Sequence, residues 1–281
     1  MNGRLHRMPA RICLLAALFV PLGSPAAELQ TATLKAWDLY VAAAELRIAS
    51  ELKSAKGFLA LDFQDAAEAA RERHAVIAGE IPVKKMETLT PAGESIQVPG
   101  GMIHHWRGSV FIPGADLDPL LARVLNPKTD DTRQEDVLQS RVLERGLDSL
   151  RIYLKLQRSK FVTVVYNTEH HVQVRRYGKT RASSTSVATR IAELDMPNSG
   201  QEREKPPGQD RGFLWRLNSY WRYEQVNGGV IVECESVSLS RTVPAWLEVL
   251  ARPLIDNTAR ESMQRTLGSM RGRMAHSRPE P

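Results

Sequence analysis

The chain has 281 residues, with 38 Lys and Arg against 32 Asp and Glu and a formal net charge of +6. Its acidic residues are interspersed among the basic ones, so the sequence offers no positive stripe for a phosphate backbone, and we expect no nucleic-acid partner. Cys13 and Cys234 are its only cysteines, which excludes a disulfide framework, and a chain of this length can bury a sizeable core without one.

The first 27 residues have the pattern of a cleavable signal peptide. Three arginines among the first eleven residues precede an apolar run over 12–22 and the small residues of 23–27. The run is too short to anchor the chain in a bilayer, and no later segment approaches the length of a membrane span, which leaves only transient membrane contact open. We therefore expect cleavage after Ala26 or Ala27 and a periplasmic or secreted protein.

Residues 28–98 are predicted to form a small N-terminal helical extension. Apolar residues at helical spacing predict one helix over 33–54 and a second over 65–78, with a short strand over 58–63 between them. A linker rich in proline and glycine follows at 91–101. The pattern leaves open whether the first helix packs on a sheet edge, acts as a lid or meets a partner protein.

A larger α+β unit is predicted over 99–275, followed by a disordered tail at 276–281. Its first elements are a strand over 102–112 and a helix over 117–125, which the carboxylate of Asp116 is expected to cap. Further strands are predicted over 137–144, 150–157, 161–173, 181–194, 213–225 and 230–241. Pro244 is expected to open a long C-terminal helix, since its missing N–H costs nothing at that position.

The last two strands are predicted to form a hairpin around Asn227 and Gly228. This dipeptide suits a two-residue type I′ turn, which would place Arg222 opposite Glu233 and Tyr220 opposite Glu235. We expect the Arg222–Glu233 pair to be solvated on the convex face of the sheet. The other face would carry large rings on one strand opposite small residues on its neighbour.

Several segments of the larger unit resemble the START-like (SRPBCC, polyketide cyclase-like) superfamily. They include GMIHHWRGSVFIPGADLDPLLARVLN, VLQSRVLERGLDSLRIYLKLQR, GFLWRLNSYWRYEQVNGGVIVECESVSLSR and PAWLEVLARPLI. The strings LWRLNSYWRYE and VECESVSLSR are similar to those of exported bacterial START-like proteins. The resemblance implies a helix-grip fold, in which a curved antiparallel sheet wraps a long C-terminal helix and leaves a cavity for an apolar ligand.

The leading functional hypothesis is binding or transport of a hydrophobic, lipid-like small molecule between the sheet and the C-terminal helix. The predicted ligand-binding residues are Trp215, Leu217, Ser219, Trp221, Tyr223, Cys234 and Ser236. Rings and small hydroxyls on one face suit a mostly apolar pocket with a few polar groups, although the same residues could be ordinary core. We expect Cys234 to be a small buried hydrophobe rather than a nucleophile.

Two other classes of function remain open. A cyclase-like or hydrolase-like enzyme could use the same cavity, with Glu193 or Arg190 as the group that points inward, and a structural or interaction protein would have a filled core. No catalytic residue, cofactor or metal is predicted. The pairs His104-His105 and His170-His171 point to opposite faces of a strand, and neither HExxH nor CxxC occurs.

Overall fold

A computed structural model describes residues 29–127, 136–159, 163–242 and 245–275, with only the backbone given for 159, 245–256 and 275. The signal peptide predicted for 1–27, Pro244 and the tail at 276–281 lie outside the described residues.

One antiparallel sheet forms the middle layer of the described chain. Its strands are β1 (Val83–Lys85), β2 (Gly101–Pro113), β3 (Val137–Arg145), β4 (Ser149–Ser159), β5 (Thr163–Arg176), β6 (Arg181–Asp195), β7 (Arg203–Glu204), β8 (Arg216–Val226) and β9 (Gly229–Arg241). They are ordered β1-β2-β9-β8-β6-β5-β4-β3, and the short β7 pairs with the end of β6. The predicted strands of the larger unit are therefore found close to their expected bounds.

The helices lie on both sides of this sheet. They are α1 (Thr31–Lys53), a 3-10 helix (Ala60–Phe63), α2 (Ala66–Ile77), α3 (Leu117–Leu125) and α4 (Ala245–Ala275). The strand predicted over 58–63 is wrong, because the Asp62 carboxylate accepts hydrogen bonds from the N–H groups of Phe58 and Leu59 and turns the chain. Asp116 does not cap α3 with its side chain; the N–H of Leu117 donates to Oε1 of Gln225 instead, at 2.7 Å.

Helix α4 packs on the inner face of the sheet along β2. Its residues Met263, Leu267 and Met270 share a buried cluster with Trp106 and Tyr223, among others. The helix comes so close to β2 that a Cβ added at Gly108 would meet Leu267 Cδ1 at 2.8 Å.

The opposite edge of the sheet also reaches α4, through Asp136 just before β3. Its Oδ2 atom accepts a hydrogen bond from the hydroxyl of Ser262 at 3.4 Å and lies 3.3 Å from the guanidinium of Arg265, both on α4. Arg158 of β4 contacts the same oxygen at 3.0 Å. Since β2 and the start of β3 lie near opposite edges of one sheet, the sheet curves around the helix.

The N-terminal helices cover the outer face of the central strands. Trp37, Tyr40 and Ile48 of α1 pack with Val237 and Leu239 of β9, and the 3-10 helix and α2 pack with Ile231. The sheet is thus the middle of three layers. The first helix lies across a face of the central strands rather than on a sheet edge, and its roles as a lid or a partner contact stay predictions.

The β8–β9 hairpin has the predicted register but a different turn. Val226 faces Gly229, Arg222 faces Glu233 and Tyr220 faces Glu235. A type I′ turn requires positive φ at both central residues, whereas only Gly228 has it here, with φ 82°. The register is therefore confirmed, and the turn type is wrong.

The expectation that Arg222 and Glu233 are solvated is also wrong. Arg222 is 2% exposed and Glu233 is 1% exposed, because the N-terminal layer covers them. The guanidinium of Arg222 donates to the carbonyl of Phe58 and to the carboxylate of Glu51, and Glu233 accepts hydrogen bonds from the backbone N–H groups of the 3-10 helix. These charges are satisfied by the N-terminal layer rather than by water.

Candidate ligand-binding site

Three serines form a row across the inner face of the sheet. Ser186 of β6 lies directly opposite Ser219 of β8, which lies directly opposite Ser236 of β9, and Trp106 of β2 follows. We call Ser186, Ser219 and Ser236 the serine row. Their small side chains leave space between the sheet and the layer that covers its inner face.

The two faces of strand β8 differ in how completely they are covered. On the outer face Asn218, Tyr220 and Arg222 are buried, whereas Leu217, Ser219 and Trp221 between them on the inner face are partly accessible. Ser236, across from Ser219, is partly accessible as well. The outer face is closed by the N-terminal layer, and the inner face keeps accessible surface at the serine row.

Tyr223 and Cys234 lie farther along the same face, in the cluster beneath α4. Both are buried, and the hydroxyls of Tyr223 and Ser184 are hydrogen bonded at 3.0 Å. Burial raises the pKa of the Cys234 thiol well above its usual range, and the negative charges of Glu235 and Glu233 add to this effect. Cys234 is therefore protonated at neutral pH, as expected of a small buried hydrophobe.

Trp215 does not share the inner face, which corrects its predicted placement. It packs with Trp37 and Tyr40 of α1 in the outer cluster, and its indole N–H donates to Asp210 at 2.9 Å. Trp215 precedes the first residue of β8, so the alternation of side chains within the strand does not extend to it.

A histidine that the sequence analysis did not select lies beside the serine row. His170 of β5 is buried, and its Nε2 lies 3.0 Å from the hydroxyl of Thr168. That hydroxyl donates to the carbonyl of Leu154, so Nε2 carries a proton and Nδ1 is free to accept from Ser186, at 3.5 Å. Burial lowers the pKa of His170 to about 4, which keeps the ring neutral at pH 7. The alternation of Tyr166, Thr168, His170 and Val172 was the available signal.

Two buried polar atoms of inner-face residues have no hydrogen-bond partner among the described residues. They are Nε1 of Trp106 and the hydroxyl of Tyr166. Burial and the nearby carboxylates of Glu193 and Asp210 raise the pKa of Tyr166, so its hydroxyl keeps its proton. Unpaired buried polar groups are uncommon in folded proteins and call for an explanation.

Glu193 and Arg190 point to opposite sides of β6, as expected. Glu193 is buried and accepts hydrogen bonds from Lys205 at 2.5 Å and from the N–H of Arg211 at 2.8 Å. Arg190 is exposed and pairs with Glu204. The inward carboxylate is therefore already paired with the loop before β8.

The chain has the α+β helix-grip arrangement, in which a curved antiparallel sheet wraps a long C-terminal helix. No protein-family model and no curated protein matches its sequence.

Several solved structures are similar to this chain. One is a STAR-related lipid transfer protein from Xanthomonas axonopodis, with 17% identity over 68% of this chain and 98% of that chain and a TM-score of 0.43. The human StarD13 lipid transfer and protein localization domain has 12% identity over 74% and 98%, with a TM-score of 0.38. The Zhui aromatase/cyclase from Streptomyces has 13% identity over 62% and 94%, with a TM-score of 0.37. These similarities concern the fold alone.

The histidine pairs of the sheet alternate between its faces. His104 and His170 lie on the inner face, His105 is buried beneath α1, and His171 is exposed. Within the described ranges, no three His, Cys, Asp or Glu side chains are grouped as a metal site would require. No described helix is long and apolar enough to cross a membrane.

Proposed function

We propose that this protein binds and carries a hydrophobic small molecule between the inner face of the sheet and helix α4. The observation that supports this most is the partly accessible surface of Leu217 and Trp221 at the serine row, on strands whose outer face is buried. Transferring such apolar surface from water to a ligand is favourable by roughly 25 cal/mol per Å².

The arrangement around this surface also supports the proposal. Small side chains of the serine row leave room, and rings and aliphatic groups flank it, which is the composition of small-molecule sites. Asp136 ties the far edge of the sheet to α4, so a bound molecule would lie inside the curve of the sheet rather than on a flat surface.

The test is binding of N-phenyl-1-naphthylamine, an uncharged apolar dye, to the mature chain. We expect saturable fluorescence enhancement, and Ser219→Leu should weaken binding by about tenfold or more because the larger side chain fills the row. Thr185→Leu is the matched control, since Thr185 is exposed and lies one residue from Ser186 on the opposite face. Absence of dye binding, or equal affinity in both variants, would contradict the proposal.

A second candidate is an enzyme that uses the same face, favoured by the contact of His170 Nδ1 with the Ser186 hydroxyl. A neutral imidazole beside a partly accessible serine is the arrangement needed to activate a nucleophile. A fluorophosphonate probe should then label Ser186 in the native protein and not in His170→Gln. Peptide mass spectrometry that finds no adduct on Ser186 would remove this candidate.

We also propose that the protein acts outside the cytoplasm, on the strength of the signal-peptide pattern in residues 1–27. N-terminal sequencing of the protein recovered from a periplasmic extract should begin at Ala27 or Glu28. An uncleaved chain in the cytoplasmic fraction would overturn this.

A further inference from the structure

We infer that the apolar ligand carries an uncharged oxygen-bearing group, an alcohol or a ketone, and that the serine row with Trp106 recognises it. This inference rests on the proposed function and specifies the chemical class of the ligand.

The serine row places hydroxyls at regular intervals across the sheet. Ser186, Ser219 and Ser236 are direct neighbours on three adjacent strands, and neighbouring strands lie about 4.8 Å apart. Each hydroxyl can donate one hydrogen bond and accept two, so the row can bind either a hydroxyl or a carbonyl.

The polar groups at one end of the row have no side-chain partner in the described part of the chain. Ser219 and Ser236 make no side-chain hydrogen bond to any described residue, and both are partly accessible. Trp106 lies directly opposite Ser236 on the same face, is 8% exposed, and has an Nε1 donor that no described residue accepts from. A buried donor left unpaired is unfavourable, and a ligand oxygen beside Ser236 would pair it.

At the other end of the row, Ser186 is held by a chain of neutral groups. Its hydroxyl lies beside Nδ1 of His170, whose Nε2–H bonds to Thr168, which in turn donates to the carbonyl of Leu154. Because burial lowers the pKa of His170 to about 4, the ring does not supply a positive charge at neutral pH. These hydrogen bonds orient the Ser186 hydroxyl, and none of the groups that make them carries a positive charge.

The charges around the row do not suit a carboxylate or phosphate. The cations on this face of the described strands already have partners: Arg158 of β4 pairs with Asp136, Arg176 at the end of β5 pairs with Asp118, and Lys85 of β1 lies over the ring of Trp106. The inward Glu193 is likewise paired with Lys205. An anion placed there would lose its hydration and would have to compete with these existing partners for a counter-charge, which is costly. A neutral oxygen avoids that cost and still satisfies the hydroxyls.

The experiment compares three ligands that share one ring system: 9-anthracenemethanol, 9-anthracenecarboxylate and 9-methylanthracene. Affinities for the mature chain at pH 7 are measured by energy transfer from tryptophan to anthracene. We expect the alcohol to bind about tenfold more tightly than the methyl compound, and the carboxylate to bind most weakly. In the double variant Ser219→Ala/Ser236→Ala the preference for the alcohol should fall to about twofold or less, with 9-methylanthracene affinity retained.

Thr185→Ala, on the opposite face, is the matched control and should keep the full preference for the alcohol. Tighter binding of the carboxylate than of the alcohol, or an unchanged preference in the double serine variant, would overturn this inference while leaving the proposed function in place. Failure of all three compounds and of the apolar dye to bind would overturn the proposed function and the inference with it.

Discussion

Arg107 is the central cation of the buried layer between the sheet and the N-terminal helices. Its guanidinium contacts both oxygens of Glu72, at 2.7 and 3.0 Å, and Glu233 at 3.0 Å. Burial alone would raise the pKa of Glu72, but hydrogen bonds from Arg107 and Lys84 lower it to about 2. Both carboxylates therefore depend on this arginine for compensation.

Arg107→Met should destabilise the protein by about 3–5 kcal/mol, because it leaves two buried carboxylates without their main partner. Urea unfolding at pH 7, followed by circular dichroism, measures the change. Arg151→Met is the matched control: Arg151 pairs with Glu144 and Glu169 at the surface, and its loss should leave the urea midpoint nearly unchanged. Equal effects of the two substitutions would contradict the buried-layer interpretation.

His170 should make stability depend on pH in a defined window. Its pKa is about 4 in the folded protein against 6.5 ordinarily, so below pH 6.5 the unfolded chain binds a proton that the folded chain does not. Stability from this group is therefore complete above pH 6.5 and falls by roughly 3 kcal/mol as the pH approaches 4. His170→Gln should reduce the pH dependence of the urea midpoint between pH 6.5 and 4.5. His171→Gln, on the exposed face, should leave that dependence unchanged. A slope in His170→Gln as steep as that of the parent protein would refute the assignment.

At the scale of elements, the contact of α4 with β2 depends on the absence of a side chain at Gly108. An added Cβ would lie 2.8 Å from Leu267 Cδ1 and 2.9 Å from Met263 Cγ. Gly108→Ala should therefore destabilise the protein by about 1–3 kcal/mol. Gly272→Ala, within α4 and with no atom within 4 Å of the added Cβ, should be neutral or stabilising by up to about 1 kcal/mol. Thermal melts of the two variants distinguish these outcomes.

The elements themselves were largely predictable from sequence. Period-two alternation located the strands, and the Asn227-Gly228 pair fixed the hairpin register that sets Arg222 against Glu233. The failures came from contacts with residues far along the chain. Arg222 was assigned to solvent because Glu51 and Phe58, which cover it, are separated from it by 171 and 164 residues.

The candidate site was predictable only in part, for the same reason. Leu217, Ser219, Trp221 and Ser236 share a face within one hairpin, so their grouping follows from local register; their role in ligand binding stays a prediction. Ser186 and His170 are brought to the site by the pairing of β6 with β8 and of β5 with β6, and no local sequence pattern specifies these pairings.

For the whole molecule, the N-terminal layer is expected to be required for folding. A chain that begins at residue 99 would expose the apolar surface of Val237 and Leu239 and leave Arg222 and Glu233 without the partners described above. We expect such a chain to show no cooperative urea transition, in contrast to the chain from residue 28. A cooperative transition with the same midpoint would mean that the sheet and α4 form an independent domain.

The buried charges of the outer face also constrain how this protein can diverge over time. Arg107 is shared by Glu72 and Glu233, while Arg222 is held by Glu51, so a single exchange at any of these sites strands an ion in the interior. Descendant sequences should therefore keep all of these charged residues or replace them together by apolar side chains. Correlated replacement at these positions would then indicate the presence of the N-terminal layer in related proteins whose structures have never been determined.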